Sequence, residues 1–243
     1  MKIKLFTIPN LLTLSNLVCG SIALIEIITN QNFILGFILI VAAAAFDFLD
    51  GMAARLLGQY SDVGRELDSL ADVVSFGLLP SVAMFSLFNI VEKSFDNPFW
   101  SEWGGYVSLI IVCFSALRLA KFNVDPKQES SFEGLPTPAN ALFCLSLALL
   151  ASDGRLTLSG EAVALISVVM ALLLIAPLRL FALKFKSLSW RENRVRYIFL
   201  LLAAIALALF RVFAVPIIIA IYILISVIVE CKHCRLKRQT NKN

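Results

Sequence analysis

Long apolar segments separated by short polar ones dominate the hydrophobic pattern of this chain. Most of these segments reach or approach the ~20 residues that an α-helix needs to cross a membrane. The pattern therefore predicts an all-α fold, a polytopic membrane bundle of about eight transmembrane helices. The predicted segments are 9–29, 33–57, 66–91, 104–122, 137–152, 160–182, 196–211 and 214–230.

The last two segments are the hardest to separate, because only Arg211 and Pro216 interrupt a long apolar stretch. Proline in a helical pattern marks a helix start or a kink, so a seven-helix interpretation stays open. We expect a membrane domain of six helices over residues 1–183. Residues 184–243 would add a basic loop, two further helices and a basic tail.

Composition agrees with a membrane protein. Hydrophobic residues make up 59% of the chain and charged residues 16%, whereas soluble domains carry about 25% charged residues. The first apolar run is too long for the hydrophobic region of a cleavable signal peptide, so we expect it to be a helix of the bundle.

The positive charges predict the orientation of the helices. With a cytoplasmic amino terminus, all Lys and Arg residues except Lys93, Arg155 and Arg211 fall on the cytoplasmic side. This asymmetry obeys the positive-inside rule and places both termini in the cytoplasm. We therefore expect a multi-pass protein of the cell (inner) membrane. The basic runs 184–196 and 232–242 either bind anionic lipid headgroups or only determine the topology; neither indicates nucleic-acid binding.

Four carboxylates interrupt the second and third apolar segments. Asp47 and Asp50 are three residues apart and Asp68 and Asp72 are four apart, so each pair shares a helical face. A hairpin between the two segments would bring all four together on the cytoplasmic side. Carboxylates near membrane depth are costly and usually face a cation or a cavity. Oxygen ligands favour Mg²⁺ or Mn²⁺, and protein-bound Mg²⁺ commonly bridges substrate phosphates, which implies a phosphate-bearing substrate.

Small and basic residues lie between the carboxylates. Gly51, Ala54 and Gly64 leave room for a ligand, and the guanidinium of Arg55 suits a diphosphate. The alternative is that the small residues only allow two helices to approach closely, as they often do in membranes.

These residues together form the pattern D-x-x-D-G-x-x-A-R, eight residues, then G-x-x-x-D-x-x-x-D. The pattern resembles the signature of the CDP-alcohol phosphatidyltransferases. That resemblance implies transfer of a phosphatidyl or similar group from a CDP-linked donor to an alcohol, with release of CMP. It further implies a two-metal site formed by all four aspartates, with Asp72 also as the catalytic base. Gly51, Ala54, Arg55 and Gly64 would line the CDP pocket. Thr13 and Asn16, one helical turn apart, are further candidates for binding the CDP nucleotide or a metal-bound water.

Further stretches resemble the multi-spanning bacterial phosphatidylserine synthases within that family. They lie at residues 9–20, 67–77, 118–123 and 132–139. This resemblance implies CDP-diacylglycerol as the donor and L-serine as the acceptor. Arg118, Lys121 and Asn123 are the predicted contacts for the serine carboxylate or the donor phosphates, although basic residues also suit a cytoplasmic helix end for topological reasons alone. Many members of the group that the sequence resembles carry Arg where Lys121 stands.

Several alternatives remain at this point. The acceptor of the same reaction could be glycerol phosphate or inositol phosphate, and a cation-coupled transporter or an inactive interaction protein would also explain intramembrane carboxylates. Thr13 and Asn16 could bond another helix instead of a nucleotide. Cys231 and Cys234 supply only half of a zinc site. Helices five to eight are either scaffold or the interface of a homodimer.

Overall fold

The computed structural model describes residues 5–91, 98–124, 134–177, 206 and 209–226. The secondary structure in these ranges is helical throughout, as predicted. The helices are α1 Ile8–Asn30, α2 Phe33–Leu57, α3 Asp62–Ile90, α4 Pro98–Val124, α5 Thr137–Ser152, α6 Gly160–Ile175 and α7 Ala214–Ser226. Helix α3 contains a π-helical segment, Val73–Leu78, and α4 contains a 3₁₀ segment, Gly104–Leu109.

Helices α1 to α4 are each long and apolar enough to cross a membrane, by length and composition. Helices α5, α6 and α7 are shorter apolar helices. Apolar side chains on the outside of the bundle agree with a lipid environment; Ile25 is 60% exposed and Ile38 is 57% exposed. Most of the predicted segment 196–211, the basic loop and the tail with Cys231 and Cys234 lie outside the described residues, so the number of spans and the boundary at residue 183 stay predictions.

Two helix boundaries differ from the predicted ones for local reasons. Helix α3 begins at Asp62 rather than at residue 66, because the Ser61 hydroxyl accepts a hydrogen bond from the Gly64 N–H at 3.0 Å and caps the first turn. Helix α6 ends at Ile175, whereas the prediction extended it to residue 182. Pro177 follows closely, and the residue before a proline disfavours helical geometry.

The chain reverses direction between α2 and α3 through residues 58–61. Gly58 ends α2 in the left-handed conformation, with a φ of 61°, which glycine adopts without steric cost. This short hairpin places the end of α2 beside the start of α3. We call this end of the bundle, where the aspartates lie, the carboxylate end.

The core of the bundle forms around α3. Helix α3 packs against α1, α4, α5 and α6, while α1 and α2 pack against each other along their length. Phe76 and Met84 of α3, Leu145 of α5 and Leu174 of α6 are completely buried. These side chains belong to one core cluster that joins α3 to the helices packed around it.

Candidate active site

Three of the four predicted metal ligands converge at the carboxylate end. Asp47 and Asp50 of α2 and Asp68 of α3 each offer a carboxylate oxygen, and these oxygens lie within 4.8 Å of one another. Asp50 is only 6% exposed, and the other two are half-buried. The expected hairpin therefore does bring Asp68 to the pair on α2.

Asp72 lies one turn further along α3 and is not part of that cluster of three. Its side chain is buried and accepts a hydrogen bond from Asn16 Nδ2 at 3.2 Å. Helix α3 changes to π-helical geometry at the next residue, Val73. Segments of this kind are rare and occur frequently at functional sites.

Thr13 and Asn16 of α1 contact carboxylates. Thr13 Oγ1 lies 2.6 Å from Asp50 Oδ2, and Asn16 bonds to Asp72 as described. The sequence left open whether these two residues bond a nucleotide or another helix. In the structure both make interhelical hydrogen bonds. Asn16 Oδ1 is buried without a partner among the described residues, so it keeps an acceptor for a further ligand. Their role in binding CDP stays a prediction.

A close contact between α1 and the π-helical segment supports this arrangement. A Cβ atom added to Gly20 would lie 2.9 Å from Ser75 Cα, which is closer than real Cβ atoms approach. The Ser75 hydroxyl donates to the backbone carbonyl of Asn16 at 3.1 Å. Gly20 therefore allows α1 to approach α3 closely enough for Asn16 to reach Asp72.

The predicted nucleotide-pocket residues on α2 and α3 lie in different surroundings. A Cβ atom at Gly51 would meet nothing within 4 Å, which leaves open space beside Asp50. Ala54 is half-buried and Arg55 is exposed in the last turn of α2. At Gly64 a Cβ atom would lie 3.0 Å from Asn10 Oδ1, so this glycine also serves helix packing.

The three predicted acceptor residues of α4 also differ. Arg118 is half-buried within electrostatic range of Asp72, and its Nε has no hydrogen-bond partner among the described residues. Lys121 is exposed. Asn123 Nδ2 donates to Ser69 Oγ of α3 at 2.9 Å, so its amide connects two helices. Arg118 and Asn123 thus both lie beside the part of α3 that carries Asp68 and Asp72.

Comparison with known proteins agrees with this site. The sequence profile of the family described as CDP-alcohol phosphatidyltransferase matches residues 6–176. The chain belongs to this family. The match includes all four aspartates as well as Thr13, Asn16 and the acceptor residues predicted on α4. Family membership makes the chain a transferase of phospholipid biosynthesis.

Individual relatives are similar over about half of the chain or slightly more. A protein of Bacillus subtilis is 37% identical over 131 residues, which are 54% of this chain and 69% of that relative. One of Helicobacter pylori (strain J99) is 35% identical over 148 residues, 60% of this chain and 59% of the relative. One of Methanocaldococcus jannaschii is 39% identical over 140 residues, 57% and 59% of the two chains. Each is named CDP-diacylglycerol–serine O-phosphatidyltransferase.

The carboxylate cluster of this family member fits a divalent cation. All three groups offer hard oxygen ligands at mutual distances that one ion can bridge. Asp68 Oδ1 is buried and has no hydrogen-bond partner among the described residues. A bound cation would satisfy this oxygen and offset the repulsion among the carboxylates.

Sequence reasoning missed several residues that shape the site. Ser75 and Ser69 bond α1 and α4 to α3, and Asn10 lies against Gly64. Both serines lie in the stretch 67–77 that resembles the serine-specific members, but a hydroxyl on a helix has too many potential partners for the sequence to select one. The π-helical segment after Asp72 carries no sequence signal that we recognise.

Proposed function

We propose that this chain transfers the phosphatidyl group of CDP-diacylglycerol to the hydroxyl of L-serine, giving phosphatidylserine and CMP. The observation that carries the proposal is the convergence of Asp47, Asp50 and Asp68 beside the open space at Gly51. The names of the relatives support serine as the acceptor. Because the chain covers 59% of the length of two of these relatives, we carry over their substrates only as a proposal.

Asp47, Asp50 and Asp68 would hold Mg²⁺ or Mn²⁺, and Asp72 would complete a two-metal site. Two such ions, when bound, stabilise negative charge on the attacking and leaving oxygens of an in-line displacement. Thr13 restrains the carboxylate of Asp50, and Asn16 restrains that of Asp72. Gly51, Ala54, Arg55 and Gly64 would line the CDP pocket, where the guanidinium of Arg55 suits the diphosphate.

The reaction needs a group that removes a proton from the serine hydroxyl. Asp72 would accept this proton as the serine oxygen bonds to the β-phosphorus of the donor and the bond from that phosphorus to the CMP oxygen breaks. No covalent enzyme intermediate is required, because the acceptor attacks the donor directly. Arg118, within electrostatic range of Asp72, and Lys121 would attract the serine carboxylate or the donor phosphates.

The membrane arrangement is part of the proposal. We place both termini and the carboxylate end on the cytoplasmic side of the inner membrane, in a bundle of about eight helices, in accord with the distribution of Lys and Arg. Cytoplasmic access suits a soluble amino acid and a soluble product, CMP, whereas the donor lipid would enter from the bilayer. A homodimer through the later helices stays a prediction.

The test is CMP release by detergent-purified protein supplied with CDP-diacylglycerol and Mn²⁺ or Mg²⁺. L-serine, glycerol 3-phosphate and inositol phosphate are added in separate reactions. We expect release that depends on serine, is abolished by EDTA and returns with added metal. Asp72→Asn should abolish it. Asp62→Asn is the matched control, because Asp62 is an exposed carboxylate in the first turn of the same helix.

Release with a phosphorylated acceptor in place of serine would contradict the substrate assignment but keep the chemistry. Rapid exchange of labelled CMP into CDP-diacylglycerol without an acceptor would contradict direct transfer. No release with any of the three acceptors would contradict the proposed function, and the transporter alternative would then be tested by ion flux in vesicles.

A further inference from the structure

Asn140 is a completely buried asparagine whose side chain is unsatisfied. Neither its Nδ2 nor its Oδ1 has a hydrogen-bond partner in the part of the chain that the structure describes, and its exposed fraction is 0%. Buried polar side chains in proteins nearly always have a partner, and an exception calls for water, an ion or a ligand. The amide of Asn140 has two donor hydrogens and an acceptor oxygen to offer.

The position of Asn140 connects it with the site. It lies in the first turn of α5, at the carboxylate end, and α5 packs against both α2 and the π-helical segment that follows Asp72. Helix α5 therefore packs against the two helices that carry Asp47, Asp50 and Asp72. Nothing in the proposed mechanism uses this residue.

The segment before α5 holds this asparagine firmly in place. The Leu135 N–H donates to the Leu173 carbonyl at 2.9 Å, which ties the segment to the end of α6. Gly134 has a φ of 80°, and a Cβ atom there would lie 3.0 Å from the carbonyl carbon of Leu174. The start of α5, where Asn140 lies, is thus tied to the end of α6.

Two buried groups on helix α4 also lack hydrogen-bond partners. Ser115 Oγ and Arg118 Nε are buried without hydrogen-bond partners among the described residues, one turn apart on the same face. Helix α4 also packs against the π-helical segment, where Ser115 Cβ would lie 3.1 Å from a Cβ atom at Gly77. Helices α4 and α5, which carry these unsatisfied groups, thus both pack against the segment next to Asp72.

We propose that Asn140 binds the acceptor and selects an amino acid. Its Nδ2 would donate to the acceptor carboxylate and its Oδ1 would accept from the ammonium group. A neutral amide suits a zwitterion, whose two charges cancel, better than a phosphorylated alcohol, whose net negative charge would need cations on burial. This inference deepens the proposed function and rests on it.

The test compares the KM values of Asn140 variants for the two substrates. Asn140→Leu keeps the volume of the side chain and removes its hydrogen-bonding groups, and Asn140→Ser is a second variant in case the first does not fold. We expect the KM for L-serine to rise about 10- to 100-fold, the range for loss of a hydrogen bond to a charged group, with the KM for CDP-diacylglycerol unchanged. Asn89→Leu, an exposed site at the opposite end of α3, is the matched control.

Acceptor discrimination provides a readout that a purely structural role would not change. Ethanolamine lacks the carboxylate, so the wild-type preference for L-serine over ethanolamine should fall in both Asn140 variants. An unchanged serine KM together with higher thermal stability of Asn140→Leu would overturn this inference alone. Absence of serine-dependent release from the wild type would instead refute the proposed function, and this inference with it.

Discussion

The hydrogen bond between Thr13 and Asp50 predicts that a residue outside the metal cluster controls metal affinity. Thr13 Oγ1 lies 2.6 Å from Asp50 Oδ2, and the two residues are 3% and 6% exposed. Thr13→Val keeps the shape of the side chain but removes the donor. The Asp50 carboxylate then loses a partner that restrains its orientation toward Asp47 and Asp68.

The expected magnitude follows from the charge and burial of this contact. A hydrogen bond to a charged group contributes about 1.5–3 kcal/mol, which corresponds to roughly a 10- to 100-fold change in an equilibrium constant. Loss of a hydrogen bond that orients a metal ligand lowers metal affinity over a similar range, about 10- to 100-fold. We therefore expect the Mn²⁺ concentration for half-maximal activity to rise by that factor in Thr13→Val.

The assay measures the initial rate of CMP release against free Mn²⁺, after removal of bound metal with EDTA. Thr29→Val is the matched control. Thr29 lies on the same helix, and its hydroxyl donates to the carbonyl of Ile25 at 2.7 Å, but it is exposed and far along the helix from the carboxylates. The same Mn²⁺ dependence in both variants would refute the reasoning, because the Thr13 hydroxyl would then not support the ligand.

Two further predictions concern packing at the site. Gly20→Ala should destabilise the protein by about 1–3 kcal/mol, the usual cost of overpacking, because the new Cβ atom would press on Ser75. Gly51→Ala should leave the thermal unfolding temperature in detergent unchanged but raise the KM for CDP-diacylglycerol. Equal destabilisation by Gly20→Ala and Gly51→Ala would contradict the different surroundings of the two glycines. Ser69→Ala and Asn123→Ala should each lower the free energy of unfolding by about 0.5–1.5 kcal/mol. The double variant should lower it by no more than either single variant, since the two side chains share one hydrogen bond. Additive losses in a denaturation series would show that Asn123 acts through another contact.

The sequence alone predicted the helical membrane architecture and three members of the carboxylate cluster. Apolar length decides which segments can cross a bilayer, since the backbone there must satisfy its own hydrogen bonds. The spacing of Asp47 and Asp50 and the short turn at residues 58–61 leave few ways to arrange α2 and α3. The convergence of Asp68 with the α2 pair follows from this local geometry.

Helix ends were predicted less well, because they depend on single capping contacts. The Ser61 hydroxyl starts α3 a full turn earlier than the apolar pattern indicates. A hydropathy pattern does not reveal such a cap, because the first turn of α3 is polar and lies outside the apolar segment. Pro177 was a visible signal for the end of α6, but the apolar pattern around it favoured a longer helix.

Only the tertiary structure decided what the polar side chains inside the bundle contact. Thr13 and Asn16 lie on one face of α1, but whether that face meets a nucleotide or the carboxylates depends on how α1 is rotated and displaced against α2 and α3. The contact between Gly20 and Ser75 determines that placement, and it joins residues 55 positions apart in the sequence. The unsatisfied amide of Asn140 depends in the same way on the packing of α5 against α2 and α3. Periodicity along one helix predicts which residues share a face, but the neighbours of that face are determined by side-chain packing between helices that are distant in sequence.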